Sequence, residues 1–486
     1  DKSLSPTVAN IDAGGGAAAA GSNQSGGSSN GIWFEFGDEP LGSFTLAGST
    51  IHADGGAGDG SGLDGAAGSV RFDGPVWLTK HDVSVSALGA STADIRFYGD
   101  VNGAQNLHLA ADDVIDFGNG AAVGTDAAPN SALKSLTFIA DEIYINDVST
   151  IGSQDYSAVD IRTHGSLTSQ GGVVDIGGDV SVRAPLVINT TAGDAQGGSV
   201  VFRDNLDGYD GNVAPVTITA GAGDVKFLRD VGLLDTDTAL GKISITSARD
   251  VLLNGDLLAA GVDWTASRQI YLEELLTSTQ AVSLEASDIT VTAGIKALGQ
   301  SVSLTGGADG IRIGGPAFGV QTSGIGSDGG DITIVSDGTV TVQSNLITGV
   351  EVPINTLNAG AIDIEVTGQS QDLVFDTGAA KLSAVGGEAT NPGDQGFAGG
   401  SVNLASQSGV IRFVSGFTLQ TQGGSVASAI PGAGGDITFD GNVSLEGATF
   451  FANTGDGTGD IVFEGTVDSP GGTVLDAFAG LGDVRF

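Results

Sequence analysis

The stretch Gly435-Asp-Ile-Thr-Phe439 returns twice further along the sequence, as Gly459-Asp-Ile-Val-Phe463 and as Gly482-Asp-Val-Arg-Phe486. The phenylalanines that end these phrases are 24 and 23 residues apart. A period of this length, with apolar residues at alternate positions, is typical of a solenoid in which each repeat forms one coil. We therefore expect stacked parallel strands that place Phe439 directly over Phe463.

The phrase extends to a longer template, Ile/Val-x-Phe-x-Gly-x-Val, which also occurs upstream from Val70 to Val76 and from Ile95 to Val101. Alternation at period two puts the first and third residues of the template on one face of a strand. The glycine that follows can form a corner. Columns of Ile, Val and Phe in vertical register are thus the predicted core.

Short apolar segments continue along the chain at about three per period, which predicts an all-β, parallel β-helix (β-solenoid) with about 24 residues and about three strands per coil. Residues 1–31 are predicted to be a low-complexity segment or linker, and residues 32–486 a single continuous solenoid. The closest approach to a helical pattern lies in 233–240 and 272–282, but neither segment has a convincing cap, so strands are favoured there.

The composition excludes several classes of function. With 58 acidic and 18 basic residues the net charge is −40, which opposes binding to nucleic acid or to an anionic membrane. There is no Cys, so neither a disulfide nor a thiolate metal site can form. The sequence has no Met and begins at Asp1, from which we expect that a leader has been removed; no apolar run is long enough for a transmembrane helix.

The template phrases, together with Asp100-Val-Asn-Gly-Ala-Gln-Asn-Leu-His-Leu109, resemble the filamentous-haemagglutinin-like, β-strand-repeat surface proteins of bacteria. The resemblance covers most of residues 70–486 as a pattern. It implies a right-handed parallel β-helix, an extracellular or cell-surface location, and a role as an adhesin or surface fibre and not as an enzyme. It also implies outer-membrane export machinery and cell-surface glycans as partners.

Self-association is a separate expectation from the residues. The phrase from Gly482 to Phe486 starts a new coil, and an uncovered coil end would expose core side chains and unpaired strand amides. We therefore expect either that the polypeptide continues or that another chain covers this end, for example by head-to-tail stacking into filaments.

No residue is assigned as catalytic, cofactor-binding or metal-binding. Asp436, Asp460 and Asp483 are expected to form a ladder about 4.8 Å apart, as solvated corner residues or as a cation site. Calcium is a further alternative at two glycine–aspartate segments, Gly55 to Asp64 and Asn453 to Asp460, although both lack the repeats or spacing of known sites. The four histidines are widely separated and none has a second His at metal-ligand spacing: His52, His81, His108 and His164.

The alternative function is a polysaccharide-active enzyme, a glycosidase or lyase, on a parallel β-helix. Such enzymes need clustered carboxylates in a groove, often with Lys or Arg. Six of the basic residues do not recur at one position of the predicted coil, which favours the structural role: Lys80, Lys134, Arg162, Arg183, Arg203 and Arg229.

Overall fold

A computed structural model describes most of the chain. The described residues are 7–8, 10–20, 24–35, 43–59, 62–125, 130–192, 196–211, 213–233, 239–315, 319–323, 326–349, 357–376, 381–388, 395–424, 431–447, 449–454, 458–470, 472 and 474–486. They form two compact units, residues 1–240 and residues 241–486. Within the described ranges the protein is all-β, with no α-helix and with a single 3-10 turn at Gly118–Gly120.

The strands of unit 1 are short and apolar at alternate positions. Their bounds are Thr7–Val8, Ile11–Asp12, Ile32–Phe34, Phe44–Leu46, Thr50–His52, Val70–Phe72, Val76–Leu78, Val83–Ala87, Ile95–Phe97, Val101–Asn102, Asn106–Ala111, Val114–Phe117, Ser135–Ile139, Glu142–Ile145, Val148–Thr150, Gln154–Thr163, Ser166–Ser169, Val174–Val182, Leu186–Asn189, Val200–Phe202, Leu206–Gly208, Val216–Thr219 and Val225–Phe227.

The strands of unit 2 follow the same pattern, the first of them beginning at the last residue of unit 1. Their bounds are Leu240–Ser247, Asp250–Leu253, Leu257–Thr265, Gln269–Leu272, Leu276–Ser278, Val282–Val291, Ile295–Ala297, Val302–Ile313, Val320–Gln321, Ile332–Ser336, Val340–Val342, Leu346–Ile347, Ile362–Val366, Leu373–Phe375, Lys381–Ser383, Val402–Phe413, Phe417–Gln420, Ile437–Leu445, Thr449–Asn453, Ile461–Phe463, Val467–Asp468, Val474–Phe478 and Val484–Arg485.

Parallel pairing in unit 2 builds three ladders of residues in register. One ladder carries the opening template, and the predicted register is confirmed: Phe439 pairs with Phe463, and their rings stack with centroids 4.5 Å apart. The three ladders run through Val262, Val282, Val302, Ile332, Ile362, Val402, Ile437, Ile461 and Val484; through Val251, Ile270, Ile289, Ile311, Val340, Leu373, Ile411, Val443 and Val467; and through Leu257, Leu276, Ile295, Val320, Leu346 and Leu382.

Unit 1 shows the same arrangement around a column of phenylalanines. Phe34, Phe72, Phe97 and Phe117 stack ring on ring, with centroids 4.5, 4.8 and 5.1 Å apart. Phe72, Phe97 and Phe117 are at most 2% exposed. Since burying a Phe contributes roughly 1.5–3 kcal/mol, such columns supply much of the stability of each unit. Offset ring stacking fixes their vertical register.

The spacing between paired strands is not constant, which corrects the expectation of a fixed period. Ile143 pairs with Ile161, 18 residues later, whereas Ile362 pairs with Val402, 40 residues later. The difference lies in loops. Several loops of unequal length are closed in the same way, by a buried threonine before the loop whose hydroxyl donates to the carbonyl of a glycine after it. The bonds run from Thr190 to Gly198, from Thr348 to Gly360 and from Thr421 to Gly435, each at 2.6 Å.

The glycine-rich segment within residues 13–31 packs against residues 53–68. Gly27 donates its N–H to the carbonyl of Gly16 at 2.7 Å, Gly56 donates to Gly27 at 2.8 Å, and Gly65 donates to Gly56 at 2.7 Å. The backbones approach so closely because no side chain stands between them. The segment that the sequence predicts to be a linker is thus hydrogen-bonded to residues of the 53–68 segment.

The segment with the most helical pattern forms strands, as the sequence analysis favours. Gln269–Leu272 and Leu276–Ser278 are both strands, with Leu272 and Leu276 fully buried. The other such segment, 233–240, lies largely outside the described residues.

Candidate binding surface

An outward-facing row on unit 1 combines arginine and aromatic side chains. Because Phe34, Phe72, Phe97 and Phe117 point into the core, the residues that precede them point outwards. Register pairs these residues in order, one from each successive strand: Trp33, Arg71, Arg96, Asp116, Tyr144 and Arg162. We call these six residues the arginine–aromatic row.

The tyrosines of this surface lie against guanidinium groups. The guanidinium carbon of Arg71 lies 4.6 Å from the ring centroid of Tyr98, and that of Arg162 lies 4.8 Å from the ring centroid of Tyr144. A third contact of this type joins Arg183 to Tyr209, at 3.7 Å. Cation–π contacts hold the rings and the planar guanidinium groups in fixed orientations.

Each arginine of the row is paired with a carboxylate. Arg71 pairs with Asp73, Arg96 with Asp94 at 2.7 Å, and Arg162 with Asp160 at 2.6 Å and with Glu142 at 3.2 Å. The hydroxyl of Tyr144 donates to Glu142 at 2.7 Å and accepts from Arg162. The row is consequently rich in planar hydrogen-bonding groups, while its positive charges are locally compensated.

The titration of the row follows from these contacts. The hydrogen bond to Asp73 raises the pKa of Arg71. Burial raises the pKa of Asp116, although Arg96 acts in the opposite direction. Burial also raises the pKa of Asp160, and the neighbouring charge of Glu142 adds to that effect. The ion pair between Arg71 and Asp73 therefore persists at physiological pH.

Exposure differs along the row. Trp33 is 74% exposed, the largest exposure of any aromatic residue described except Phe486. Arg71 is exposed, and Arg96, Asp116, Tyr144 and Arg162 are half-buried. The indole of Trp33 is thus open to solvent, and the rest of the row is partly covered.

The aspartates predicted to form a ladder accept backbone hydrogen bonds from one strand to the next. The carboxylate of Asp436 accepts the backbone N–H of Asp460 at 2.8 Å, and that of Asp460 accepts the backbone N–H of Asp483 at 2.8 Å. The same cap from one strand to the next is made by Asp100, Asp147, Asp179, Asp256, Asp331 and Asp372. Much of the acidic composition therefore serves to satisfy corner amides.

The segments considered for calcium give no metal centre among the described residues, where no group of three or more His, Asp or Glu side chains could hold a metal ion. In the first segment the carboxylate of Asp64 accepts the N–H of Gly58 at 2.8 Å. Asp456 of the second segment lies outside the described residues. Of the histidines, His52 contacts Ser86 at 2.7 Å, while His81, His108 and His164 are exposed.

An open groove of about 430 Å³ on unit 2 also carries charged side chains. It is lined by Asp372, Arg412, Glu446 and Asp468, among others. Arg412 makes a fork with Glu446, both contacts being 3.0 Å. The hydrogen bond from Arg412 holds the pKa of Glu446 below its ordinary value, so Glu446 is ionised near neutral pH.

The sequence carries a signal for two residues of the row, which are not among the six dispersed basic residues named above. Arg71 and Arg96 occupy the second position of the two upstream template phrases, which predicts that they are neighbours on the outside. Asp116, Tyr144 and Arg162 lie in strands whose sequences lack the full template. Their alignment with Arg71 and Arg96 is seen only in the pairing of the strands in the structure. Arg183 and Arg203 lie outside this row.

The part of the chain that the structure describes contains no helix that is both long and apolar enough to cross a membrane. Comparison with known proteins gives no relative: no family model matches the chain, no curated protein matches it, and no solved structure matches it.

Proposed function

We propose that this protein is an extracellular structural and adhesive β-solenoid that forms or belongs to a cell-surface fibre. In this proposal each unit is a right-handed parallel β-helix with about three strands per coil, and its function is reach, rigidity and surface contact. The observation that carries the proposal is the long parallel register of apolar residues, in which Phe439 and Phe463 stack at 4.5 Å.

Head-to-tail stacking is the proposed mode of assembly. The last strands described leave apolar side chains open: Phe478 is 49% exposed, Leu481 80% and Phe486 76%. Among the described residues, the strands Val474–Phe478 and Val484–Arg485 each pair with one earlier strand only, so a further parallel strand can pair along the same edge. A following segment or a second copy of the chain would cover this edge.

Electron microscopy of the purified chain tests the assembly. We expect unbranched filaments, and diffraction from aligned filaments should show an axial spacing of about 4.8 Å. Phe486→Asp should abolish filaments because it buries a charge in the stacking edge. Val159→Asp is the matched control, since Val159 is 69% exposed elsewhere on unit 1. A chain that stays monomeric at every concentration, or filaments that survive Phe486→Asp, would refute end-to-end stacking.

The alternative, a polysaccharide-active enzyme, has its best location in the groove around Arg412. A glycosidase needs one carboxylic acid that is still protonated at the working pH. Glu446 is unsuited to that role because its pKa is lowered. We therefore favour the structural function; release of reducing ends from polysaccharide, lost in Asp372→Asn, would favour the enzyme.

A further inference from the structure

We propose that the arginine–aromatic row of unit 1 is a binding platform for an extended, uncharged glycan. The inference rests on the proposed adhesive function and specifies the ligand class. Trp33 and Tyr144 belong to the row, whereas Tyr98 directly follows the strand Ile95–Phe97, two residues beyond Arg96. The three aromatic residues lie at alternate levels of the stack, with Arg71 and Asp116 at the levels between them. Parallel strands are about 4.8 Å apart, so these aromatic residues recur about every 10 Å along the stack.

That recurrence suits a linear polymer with an extended two-sugar repeat. The apolar face of a pyranose ring packs on an aromatic ring, and its hydroxyls hydrogen-bond to planar groups beside it. Such groups lie between the rings or next to them: the guanidinium of Arg71, the carboxylate of Asp116 and the Arg162–Tyr144–Glu142 cluster. One short ligand segment can therefore engage stacking and hydrogen-bonding groups on several consecutive strands.

The negative charge of the protein favours an uncharged linear polymer over nucleic acid and acidic polysaccharide. The net charge of −40 repels nucleic acid and acidic polysaccharide over the whole surface. The arginines do not reverse this locally, because Arg71, Arg96 and Arg162 each already contact a carboxylate. A neutral ligand meets no such repulsion and can still accept hydrogen bonds from guanidinium groups.

An added β-strand is a poor alternative occupant. The strand Val70–Phe72 pairs with Ile32–Phe34 on one side and with Ile95–Phe97 on the other. Its backbone groups are consequently engaged, and a partner can contact only the side chains of the face.

Two extended hexasaccharides, cellohexaose and chitohexaose, serve as probes, and the curved maltohexaose serves as the reference. Binding to the full-length chain is measured by titration calorimetry and by tryptophan fluorescence. We expect at least one extended probe to bind more tightly than maltohexaose. Trp33→Ala should weaken that binding about tenfold, because it removes the most exposed stacking ring.

The chain supplies a matched control in Trp77, an outward-facing tryptophan of the strand Val76–Leu78, which pairs within a different set of strands. Trp77→Ala should leave the affinity unchanged. Tyr144→Phe, which keeps the ring and loses the hydroxyl, should weaken binding less than Tyr144→Ala does. Circular dichroism establishes that each variant is folded.

The inference is overturned if neither extended probe binds, if Trp33→Ala binds as the parent chain does, or if maltohexaose binds equally well. Capture of a protein through Trp33 without any sugar binding would likewise overturn it. Filament formation is measured on the same samples. Filaments without sugar binding reject the platform alone, and sugar binding without filaments rejects end-to-end assembly alone.

Discussion

At the scale of single residues, a recurrent role of the aspartates of this protein is to cap strands. A corner between strands leaves backbone N–H groups without a partner in their own strand, and a carboxylate from the preceding strand accepts them. Asp147 shows this most fully, because its Oδ1 accepts both the N–H of Ser166 at 2.7 Å and the hydroxyl of Ser166 at 2.8 Å.

Removing this cap should loosen one corner without unfolding the unit. We expect Asp147→Ala to destabilise the corner by about 1 kcal/mol, the usual contribution of such a hydrogen bond. Amide hydrogen exchange at Ser166 should speed up accordingly. Asp147→Asn keeps an acceptor oxygen and is the matched control; equal exchange rates in the two variants would mean that the cap contributes nothing.

At the scale of elements, close backbone packing explains much of the glycine content. A Cβ at Gly15 would overlap the carbonyl oxygen of Gly27, whereas a Cβ at Gly16 would meet nothing within 4 Å. The two neighbours therefore differ in a way that the sequence, which reads Gly-Gly-Gly, does not reveal. Glycine is required where two extended segments touch and is incidental where one faces solvent.

This pair supplies a direct test. Gly15→Ala should push its segment away from Gly27 and Gly56, which should increase limited proteolysis around Gly15 and speed hydrogen exchange at Gly27. Gly16→Ala should behave as the parent chain or be slightly more stable, since alanine restricts the unfolded chain. Equal proteolysis of the two variants would contradict the packing described here.

The sequence predicts which residues form strands and face the core better than it predicts how many residues separate paired strands. The repeat alone predicts that Ile437 lies over Ile461 and Phe439 over Phe463, since hydrophobic alternation determines which side chains turn inwards. The loop lengths could not be predicted, because glycine, serine and aspartate insertions leave no periodic signal. For the candidate surface, Arg71 and Arg96 were predictable from the template, whereas Tyr144 was not.

At the scale of the whole molecule, the net charge of −40 is an unfavourable term in folding, because compaction brings like charges together. Burial adds to this in unit 1, where it raises the pKa of Asp112, Asp116 and Asp155 above the ordinary value of 3.8. A carboxyl whose pKa is raised on folding favours the folded state when it is protonated. Its contribution is thus present below pH 3.8 and is lost as the pH rises through the raised value.

Salt should therefore stabilise the protein at neutral pH. Raising the ionic strength from about 0.01 M to about 1 M shortens the screening length from about 30 Å to about 3 Å and should raise the melting temperature at neutral pH. The increase should shrink near pH 4, where many carboxylates carry a proton. A melting temperature that falls with added salt at neutral pH would show that local ion pairs outweigh the net repulsion.

Threonine hydroxyls close several loops of this protein, and these hydrogen bonds bear on how the loops can vary in length. The bond from Thr421 to Gly435 joins two residues fourteen positions apart, and the bond from Thr190 to Gly198 joins two that are eight apart, with the same 2.6 Å geometry. Chain-closure entropy grows only slowly with length. Additional residues can accordingly be accepted between such anchor points without disturbing the packed strands underneath, which makes these loops suitable sites for engineered peptide insertion.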